Sequence, residues 1–462
     1  MTIPVSFSTT LPRASRLAAA LAALLVPIVP NQVAARPTMA PQTHALVSVT
    51  NCDDSGAGSL RDAIASAASG DTIDLDGLTC SAITLSSGEI LIAQDDLTIK
   101  YSQTNGQHIV IGANLASRVL HHTGHGTLTI DGVDITDGKY DTTSGGGFAR
   151  GGCLESEGSL SLNRVSVTNC SAQATDPAYG GGIAASGSLY LGGSKVDGCG
   201  VTTGSNALGG GILLENGPAM IVDSTISNNA TSRMAGEGLV ERGGGLFIRT
   251  PVTLSTISGS TFSGNQSSYG AAMDVEVGTP YAVVIVENST IANNAADYCG
   301  GGIDTRVPLE ISNSTIAFNN AGGIYGGGGL CMSAGSNELE LISTIVASNT
   351  APSGAGSADI VGFGVTVQSE SGNDLVIASN LTLPPDTINA DPQLQALADN
   401  GGPTATLALA ASSPALDAGA NPGSLPNDQR GPGYARVFGA APDIGAYEWQ
   451  PVDVIFANGF DP

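Results

Sequence analysis

Hydrophobic residues in this chain do not recur at helical spacing. They come in short β-branched runs bounded by Gly, Asp, Asn or Ser: Ile83-Thr84-Leu85, Leu97-Thr98-Ile99, His108-Ile109-Val110-Ile111 and Leu128-Thr129-Ile130. Such runs predict short strands, and Asp131-Gly132 and Asp137-Gly138 are turn signals between them. From about residue 150 to 349 the pattern becomes periodic. A glycine cluster precedes an aliphatic residue in Gly151-Gly152-Cys153-Leu154, Gly180-Gly181-Gly182-Ile183, Gly209-Gly210-Gly211-Ile212 and Gly243-Gly244-Gly245-Leu246. The degenerate Gly270-Ala271-Ala272-Met273 follows, then Gly300-Gly301-Gly302-Ile303 and Gly327-Gly328-Gly329-Leu330. The aliphatic positions are 29, 29, 34, 27, 30 and 27 residues apart.

A second motif keeps step with the first. Ser224-Thr225-Ile226, Ser260-Thr261-Phe262, Ser289-Thr290-Ile291, Ser314-Thr315-Ile316 and Ser343-Thr344-Ile345 are followed by Asn228, Asn265, Asn293, Asn319 and Asn349. A fixed period in this range is the mark of a solenoid. Three short strands per coil predict an all-β parallel β-helix, with about ten coils over residues 81–350 and a length of about 45–50 Å. Glycine suits a turn with positive φ or close contact between coils. The aliphatic residue points inward, and stacked Asn amides can bond along the rod. What the motifs leave free are the variable stretches between Gly-Gly-Gly-Ile and Ser-Thr-Ile, and the longer intervals, of which 234–242 is the clearest loop.

The flanks divide the rest of the chain. Arg13 and Arg16 precede an apolar run over 17–29 and the small residues Val33-Ala34-Ala35, so 1–35 reads as a secretory signal peptide. Residues 36–80 form a linker and an N-terminal cap. Ser59 is the expected N-cap of a short helix with Asp62 as its capping-box partner, and Leu60, Ile64 and Ala67 share one face. That helix would cover the open end of the first coil. Residues 351–449 lose the repeat and are richer in Pro and Ala; this irregular segment could cap the far end of the rod. Residues 450–462 are a short apolar, acidic tail.

Composition narrows the function. The 462 residues carry 16 Lys+Arg against 41 Asp+Glu, a net charge of −25, which disfavours nucleic acid and anionic membranes as partners. Beyond the signal no stretch is long and apolar enough for a transmembrane helix. Seven cysteines in an exported chain permit disulfides and leave one over. Cys52–Cys80 and Cys299–Cys331 are the expected bridges, the second because its separation is close to one repeat.

The repeats resemble those of secreted bacterial right-handed parallel β-helix proteins, including the Gly-Gly-aliphatic and Asn repeats of polymorphic outer-membrane proteins. Gly58-Ser59-Leu60-Arg61-Asp62-Ala63-Ile64 is similar to the CSLREA-type N-terminal motif, with Gly for Cys and Asp for Glu. Asp391-Pro392-Gln393-Leu394, Asn400-Gly401-Gly402-Pro403-Thr404, Ser413-Pro414-Ala415-Leu416-Asp417-Ala418-Gly419, Asp428-Gln429-Arg430-Gly431 and Asp443-Ile444-Gly445-Ala446-Tyr447-Glu448 resemble the choice-of-anchor Q domain. The resemblance implies a secreted or outer-surface protein of a Gram-negative bacterium and brings no catalytic residues with it.

Candidate chemistry is sparse. Asp131, Asp134 and Asp137 are the best acidic cluster, readable as turn residues or as a Ca²⁺ or catalytic site; no other cofactor is expected. His121, His122 and His125 have no matching carboxylate or Cys spacing for a metal. Gly124-His125-Gly126 resembles one polygalacturonase motif, but its companion motifs are absent. A polysaccharide lyase or glycoside hydrolase would need outward carboxylates with Lys or Arg on adjacent coils, and Lys139, Lys195, Arg233, Arg242, Arg249 and Arg306 read as scattered. No catalytic residue is assigned. The expectation is a non-catalytic surface protein engaged in adhesion, surface structure or contact with extracellular glycans or host-surface components, with the lyase or hydrolase as the alternative.

Overall fold

From Thr127 to Gly327, three one-residue bends shape each coil, and each lies in the left-handed region. After the first strand of successive coils come Gly132, Arg164, Gly193, Asp223, Gly259, Asn288 and Asn313; after the second come Asp137, Asn169, Gly198, Asn228, Gly264 and Asn293. The third bend is the first residue of each glycine cluster, with φ +61° at Gly180 and +69° at Gly209. Gly, Asn and Asp take this conformation at least cost, which is why they recur along the chain. The computed structural model describes residues 44–451, apart from 103–107, 235–239, 251–252, 277, 334–337 and 353–356. The signal-like segment, most of the loop expected at 234–242 and nearly all of the terminal tail lie outside the described residues.

Between the bends lie three parallel sheets. The first has twelve strands, from Leu46–Ser48 to Thr366–Val367; the second has eleven, from Ala82–Thr84 to Leu375–Val376; the third has ten, from Ile90–Ile92 to Ile360–Gly362. This is the parallel β-solenoid expected from the repeat. A fourth sheet of eleven short strands is added to it. It is built from arms inserted between the second and third sheets, such as Ser171–Ala174 leaving the rod and Ala178–Tyr179 returning to it. The long excursions therefore precede the glycine clusters rather than follow them. Aliphatic side chains fill the interior: Leu154, Ile183, Ile212, Leu246, Met273, Ile303 and Leu330 are all at most 1% exposed. Each such side chain contributes roughly 1.5–3 kcal/mol when buried.

Two buried polar ladders run through this apolar interior. The Asn229, Asn265, Asn294 and Asn319 amide groups each donate through Nδ2 to Oδ1 of the Asn one coil on, at 2.9–3.0 Å. The backbone N–H of each donates to the same oxygen at 3.0–3.1 Å. Each Nδ2 also donates to a backbone carbonyl of the coil behind, as Asn294 does to Phe262 at 3.0 Å. The ladder ends on Asp359, which accepts from Asn349 Nδ2 at 2.9 Å. Two ladder positions differ from expectation: Asn228 and Asn293 are left-handed bends, and the next residues, Asn229 and Asn294, turn inward. A serine ladder runs beside it, with the N–H of Ser194, Ser224, Ser260 and Ser289 donating to the hydroxyl of the next coil's Ser.

The N-terminal end is closed by helix α1, Leu60–Ser66. Ser59 caps it by accepting from the Asp62 N–H at 3.2 Å. Leu60, Ala63 and Ile64 are buried against the first coil. Gln94 Nε2 donates to the carbonyls of Ile64 and Ala67, both at 2.8 Å, and so finishes the helix.

The segment beyond 378 covers the far end only in part, through Leu381 and Leu383. Instead of serving as an end cap, most of it turns back along the outer face of the second sheet. Its antiparallel hairpin, Leu394–Ala398 with Thr406–Leu409, lays Leu407 on Ala292 and Ala317. Gln429 bridges two coils: its Nε2 donates to Thr261 Oγ1 at 2.9 Å, and its Oε1 accepts from Thr290 Oγ1 at 2.6 Å. Arg430 pairs with Asp428 at 2.6 Å between the rings of Tyr434 and Tyr447, each 3.9 Å away. Arg436 pairs with Glu448 at 3.0 Å, both fully buried. The motif residues of this segment thus hold it together and dock it.

Cys52–Cys80 and Cys299–Cys331 form disulfides as expected, and Cys153–Cys170 forms a third. The third follows from the repeat. The last glycine of each cluster faces the ladder Asn: a Cβ at Gly211 would lie 2.9 Å from the Asn229 amide carbon. Both positions are Cys in the coil of Cys153. Cys199 sits in the ladder column opposite Gly182, so it has no partner, and burial pushes its thiol up to about 12.

Two outcomes test this architecture. Asn294→Ala should lower the unfolding free energy in guanidinium by about 3 kcal/mol, because buried donors on Asn265 lose their acceptor, whereas Asn293→Ala should cost only about 1 kcal/mol of backbone strain. The opposite order would remove the ladder. Alkylation without reductant should label one thiol per chain, Cys199, and only after unfolding, as read by intact mass.

Candidate functional site

The outer face of the third sheet collects the charges that look scattered in sequence. Three columns of residues run along it. The middle residues of the strands stack in register as His121, Glu155, Ala184, Leu213, Phe247, Asp274, Asp304 and Cys331. The residues before the glycine clusters form a second column, Arg150, Tyr179, Leu208, Arg242 and Tyr269. The third column lies two residues beyond each middle residue and carries Glu215, Arg249, Glu276 and Arg306. Nine strands from Leu120–His122 to Ile360–Gly362 give the strip a length of about 40 Å.

At the N-terminal end lies a chain of ion pairs. Arg118 contacts Glu89 at 2.9 Å and Glu155 at 2.6 Å. Arg150 contacts Glu155 at 3.1 Å and Glu215 at 2.9 Å, and Arg249 meets Glu215 at 3.0 Å. His121 lies between two carboxylates, its Nδ1 3.3 Å from Glu89 and its Nε2 3.7 Å from Glu155. Burial opposes ionisation of Glu89 and Glu215, but the hydrogen bonds and charges of His121, Arg118, Arg150 and Arg249 outweigh it and leave both carboxyls lowered. Mid-strip, Tyr179 and Leu208 pack over Ala184, Leu213 and Phe247.

At the C-terminal end the charges are buried. Arg242 Nε donates to Asp274 Oδ2 at 2.8 Å, and Arg242 Nη1 donates to Glu276 at 3.0 Å. Arg306 lies 3.6 Å from Asp274. Asp274 and Asp304 are Cα partners on adjacent strands, 0% and 2% exposed. Asp274 Oδ1, Asp304 Oδ1, Arg242 Nη2 and Arg306 Nη1 are buried without a hydrogen-bond partner. Burial raises both carboxyls above the usual range; the charge of Asp304 raises Asp274 further, and Arg242 pulls both back. The pair therefore holds a proton far more readily than an exposed carboxylate does. The Cys299–Cys331 disulfide joins the neighbours of this pair, since Cys331 is the Cα partner of Asp304 and Cys299 that of Tyr269.

Aromatic rings line the same strip. Phe148 stacks on Tyr179 with centroids 6.1 Å apart, Tyr269 on Tyr298 at 5.2 Å, and Tyr325 meets Phe363 edge-on at 6.4 Å. Arg118 lies 4.0 Å over Tyr140 and Arg249 lies 5.4 Å over Tyr179. Phe148, Tyr298, Tyr325 and Phe363 are 44–60% exposed.

The residues singled out in sequence lie elsewhere or act differently. Asp131 accepts from Arg164 at 2.7 Å, Asp134 contacts His108 at 2.9 Å, and Asp137 is a left-handed bend bonded to Asn169. Each is engaged by a different partner. Among the described residues, no group of three or more His, Cys, Asp or Glu is placed to share a metal ion. His122 is buried between Ser156 and the Gln94 carbonyl, and His125 is exposed. Arg242, Arg249 and Arg306 are not scattered: the coils bring them to one face beside carboxylates. The signal for Asp274 and Asp304 was present in sequence. Both directly follow the aliphatic residue after the cluster in consecutive repeats, where neighbouring coils carry Leu213 and Phe247.

No family model and no curated protein matches the chain. Among solved structures, that of pectate lyase Pel9A is similar with a TM-score of 0.48 and 14% identity, over 88% of this chain and 97% of that one. At that identity nothing about chemistry passes from one protein to the other. Among the described residues, no helix is long and apolar enough to cross a membrane.

Raised carboxyls set the pH dependence of stability. Burial lifts Asp304, lifts Asp374 to about 8 and lifts Glu448 to about 7. The folded chain holds these protons more tightly than the unfolded chain does. Their contribution is therefore complete below about pH 4 and is lost as pH rises through the raised values. The guanidinium midpoint should fall from pH 5 to pH 8. Asp304→Asn should raise the midpoint at pH 8 and change it little at pH 5. An equal effect at both pH values would show that Asp304 is ionised in the folded protein.

Proposed function

We propose that this protein is an exported, non-catalytic rod that binds an extended glycan along the outer face of its third sheet. One observation carries the reading. Five of the chain's 10 tyrosines, Tyr140, Tyr179, Tyr269, Tyr298 and Tyr325, lie on that strip. Tyr179 is buried beneath Phe148 and Arg249, while Phe148, Tyr298, Tyr325 and Phe363 keep the exposed ring faces that offer sugar C–H surfaces a flat apolar platform. Half-exposed Arg and Glu side chains between them supply hydroxyl donors and acceptors in fixed geometry. A set of exposed aromatics rimmed by polar groups marks a binding surface rather than an ordinary patch of solvent-facing residues.

Export and retention at the outer surface of a Gram-negative cell belong to the same proposal. The leader-like pattern of 1–35 supports it, as do three disulfides, which persist in oxidising compartments. The resemblance of the C-terminal segment to the choice-of-anchor Q domain supports retention at that surface.

A second reading, glycan cleavage, is favoured by one arrangement. His121 stands half-buried between Glu89 and Glu155, with Arg118 and Arg150 on the same carboxylates. A glycosidase or lyase needs such outward acids beside cations on adjacent coils.

Retention of the full chain on immobilised glycans tests the first reading. Tyr298→Ala with Tyr325→Ala should weaken retention at least about tenfold, the loss of about 1.4 kcal/mol, while leaving the unfolding midpoint within error. Unchanged retention would remove the strip as the site. Release of reducing or unsaturated ends, assayed with and without Ca²⁺, would establish the second reading in place of the first.

A further inference from the structure

We infer that the third-sheet strip takes a neutral, hydroxyl-rich glycan and excludes polyuronates; this rests on the glycan reading above. Charge is distributed along the strip in a way that leaves no arginine open to a sugar carboxylate. Arginine is the residue that would seize a sugar carboxylate in bidentate fashion. Five arginines reach the strip, yet every one already lies against a protein carboxylate. Arg118 is 2.9 Å from Glu89, Arg150 is 3.1 Å from Glu155, and Arg249 is 3.0 Å from Glu215. Arg242 is 2.8 Å and Arg306 3.6 Å from Asp274. Glu89, Glu155, Glu215 and Glu276, with the one charge shared by the buried Asp274–Asp304 pair, match these five cations in number.

A polyuronate would therefore have to displace built-in carboxylates from their arginines. It would leave those carboxylates unpaired in partly buried positions, a costly exchange. Glu89, Glu215 and Glu276 keep 20–36% of their side-chain surface exposed, so they face an incoming ligand and repel an anionic one. The chain's net charge of −25 adds a long-range barrier to approach. Hydroxyl groups meet none of these obstacles. A paired carboxylate retains free lone pairs, and a paired guanidinium retains free N–H donors. Vicinal hydroxyls can bridge an existing Arg–Glu pair without breaking it.

The experiment compares retention of the full chain on neutral and acidic polysaccharides of matched length, such as xylan and galactomannan against polygalacturonate and alginate. Expected are retention on a neutral glycan that changes less than about twofold between low and physiological salt, and none on polyuronates. Retention on a polyuronate that weakens with salt or requires Ca²⁺ would overturn the inference while leaving the glycan reading intact. No retention on any glycan would overturn both. Glu215→Gln frees Arg249 and Arg150 from one carboxylate. It should confer measurable salt-sensitive binding to polygalacturonate; a variant that still ignores polygalacturonate at low salt would show that charge pairing is not the basis of exclusion.

Discussion

The in-register stacking of coils is the constraint on which everything else depends, and the asparagine ladder is its most demanding part. Aliphatic side chains forbid a one-residue slip of a coil along its neighbour, since it would turn them outward, but a two-residue slip keeps them inward. Buried amides cannot slide. Each ladder Asn satisfies its own N–H, its amide and a carbonyl behind it only at one register, and a shift would strand several buried polar groups together. The serine ladder repeats the device one strand earlier. Both ladders end on carboxyl groups, those of Asp359 and Asp374, whose oxygens accept the last N–H groups.

That register makes surface columns out of sequence positions about 29 residues apart. Each residue after a glycine cluster lies beside its counterpart one coil away. Asp274 and Asp304 become neighbours for this reason, and Arg242 and Asp274 meet although 32 residues separate them. The arms of the fourth sheet then lower Tyr179, Leu208, Arg242 and Tyr269 over the middle column. The strip therefore has two layers. A buried layer of acids and apolar side chains lies beneath an exposed layer of rings and ion pairs.

The C-terminal segment uses the other exposed product of the register. Threonines of the Ser-Thr-Ile motif point outward from the second sheet, and Gln429 bonds Thr261 and Thr290 at once. The column that follows the motif aliphatic is Ser at 227 and 263 but Ala at 292 and 317, and Ala347 continues it in register with Ala317. The small apolar residues begin where Leu407 and the hairpin cover the sheet. A face that is covered no longer needs a hydroxyl to satisfy water.

The sequence by itself determined the solenoid, its coil length, the inward aliphatic column, the capping helix and two of the three disulfides. These follow from local chemistry repeated at a fixed period: left-handed bends favour Gly, Asn or Asp, and interior positions need aliphatics. It also held the Cys153–Cys170 bridge and the switch from Ser to Ala, legible once each column is read against its neighbours. Only the tertiary structure decided which Asn of Asn228-Asn229 and of Asn293-Asn294 turns inward, because one residue of bend reverses the side chain's direction. It alone decided that the arms precede the glycine clusters, that the C-terminal segment runs back along the second sheet, and that dispersed arginines meet carboxylates on the third. Those outcomes depend on how far each coil advances and which face an arm folds onto, quantities set by packing between coils rather than by any single stretch of chain.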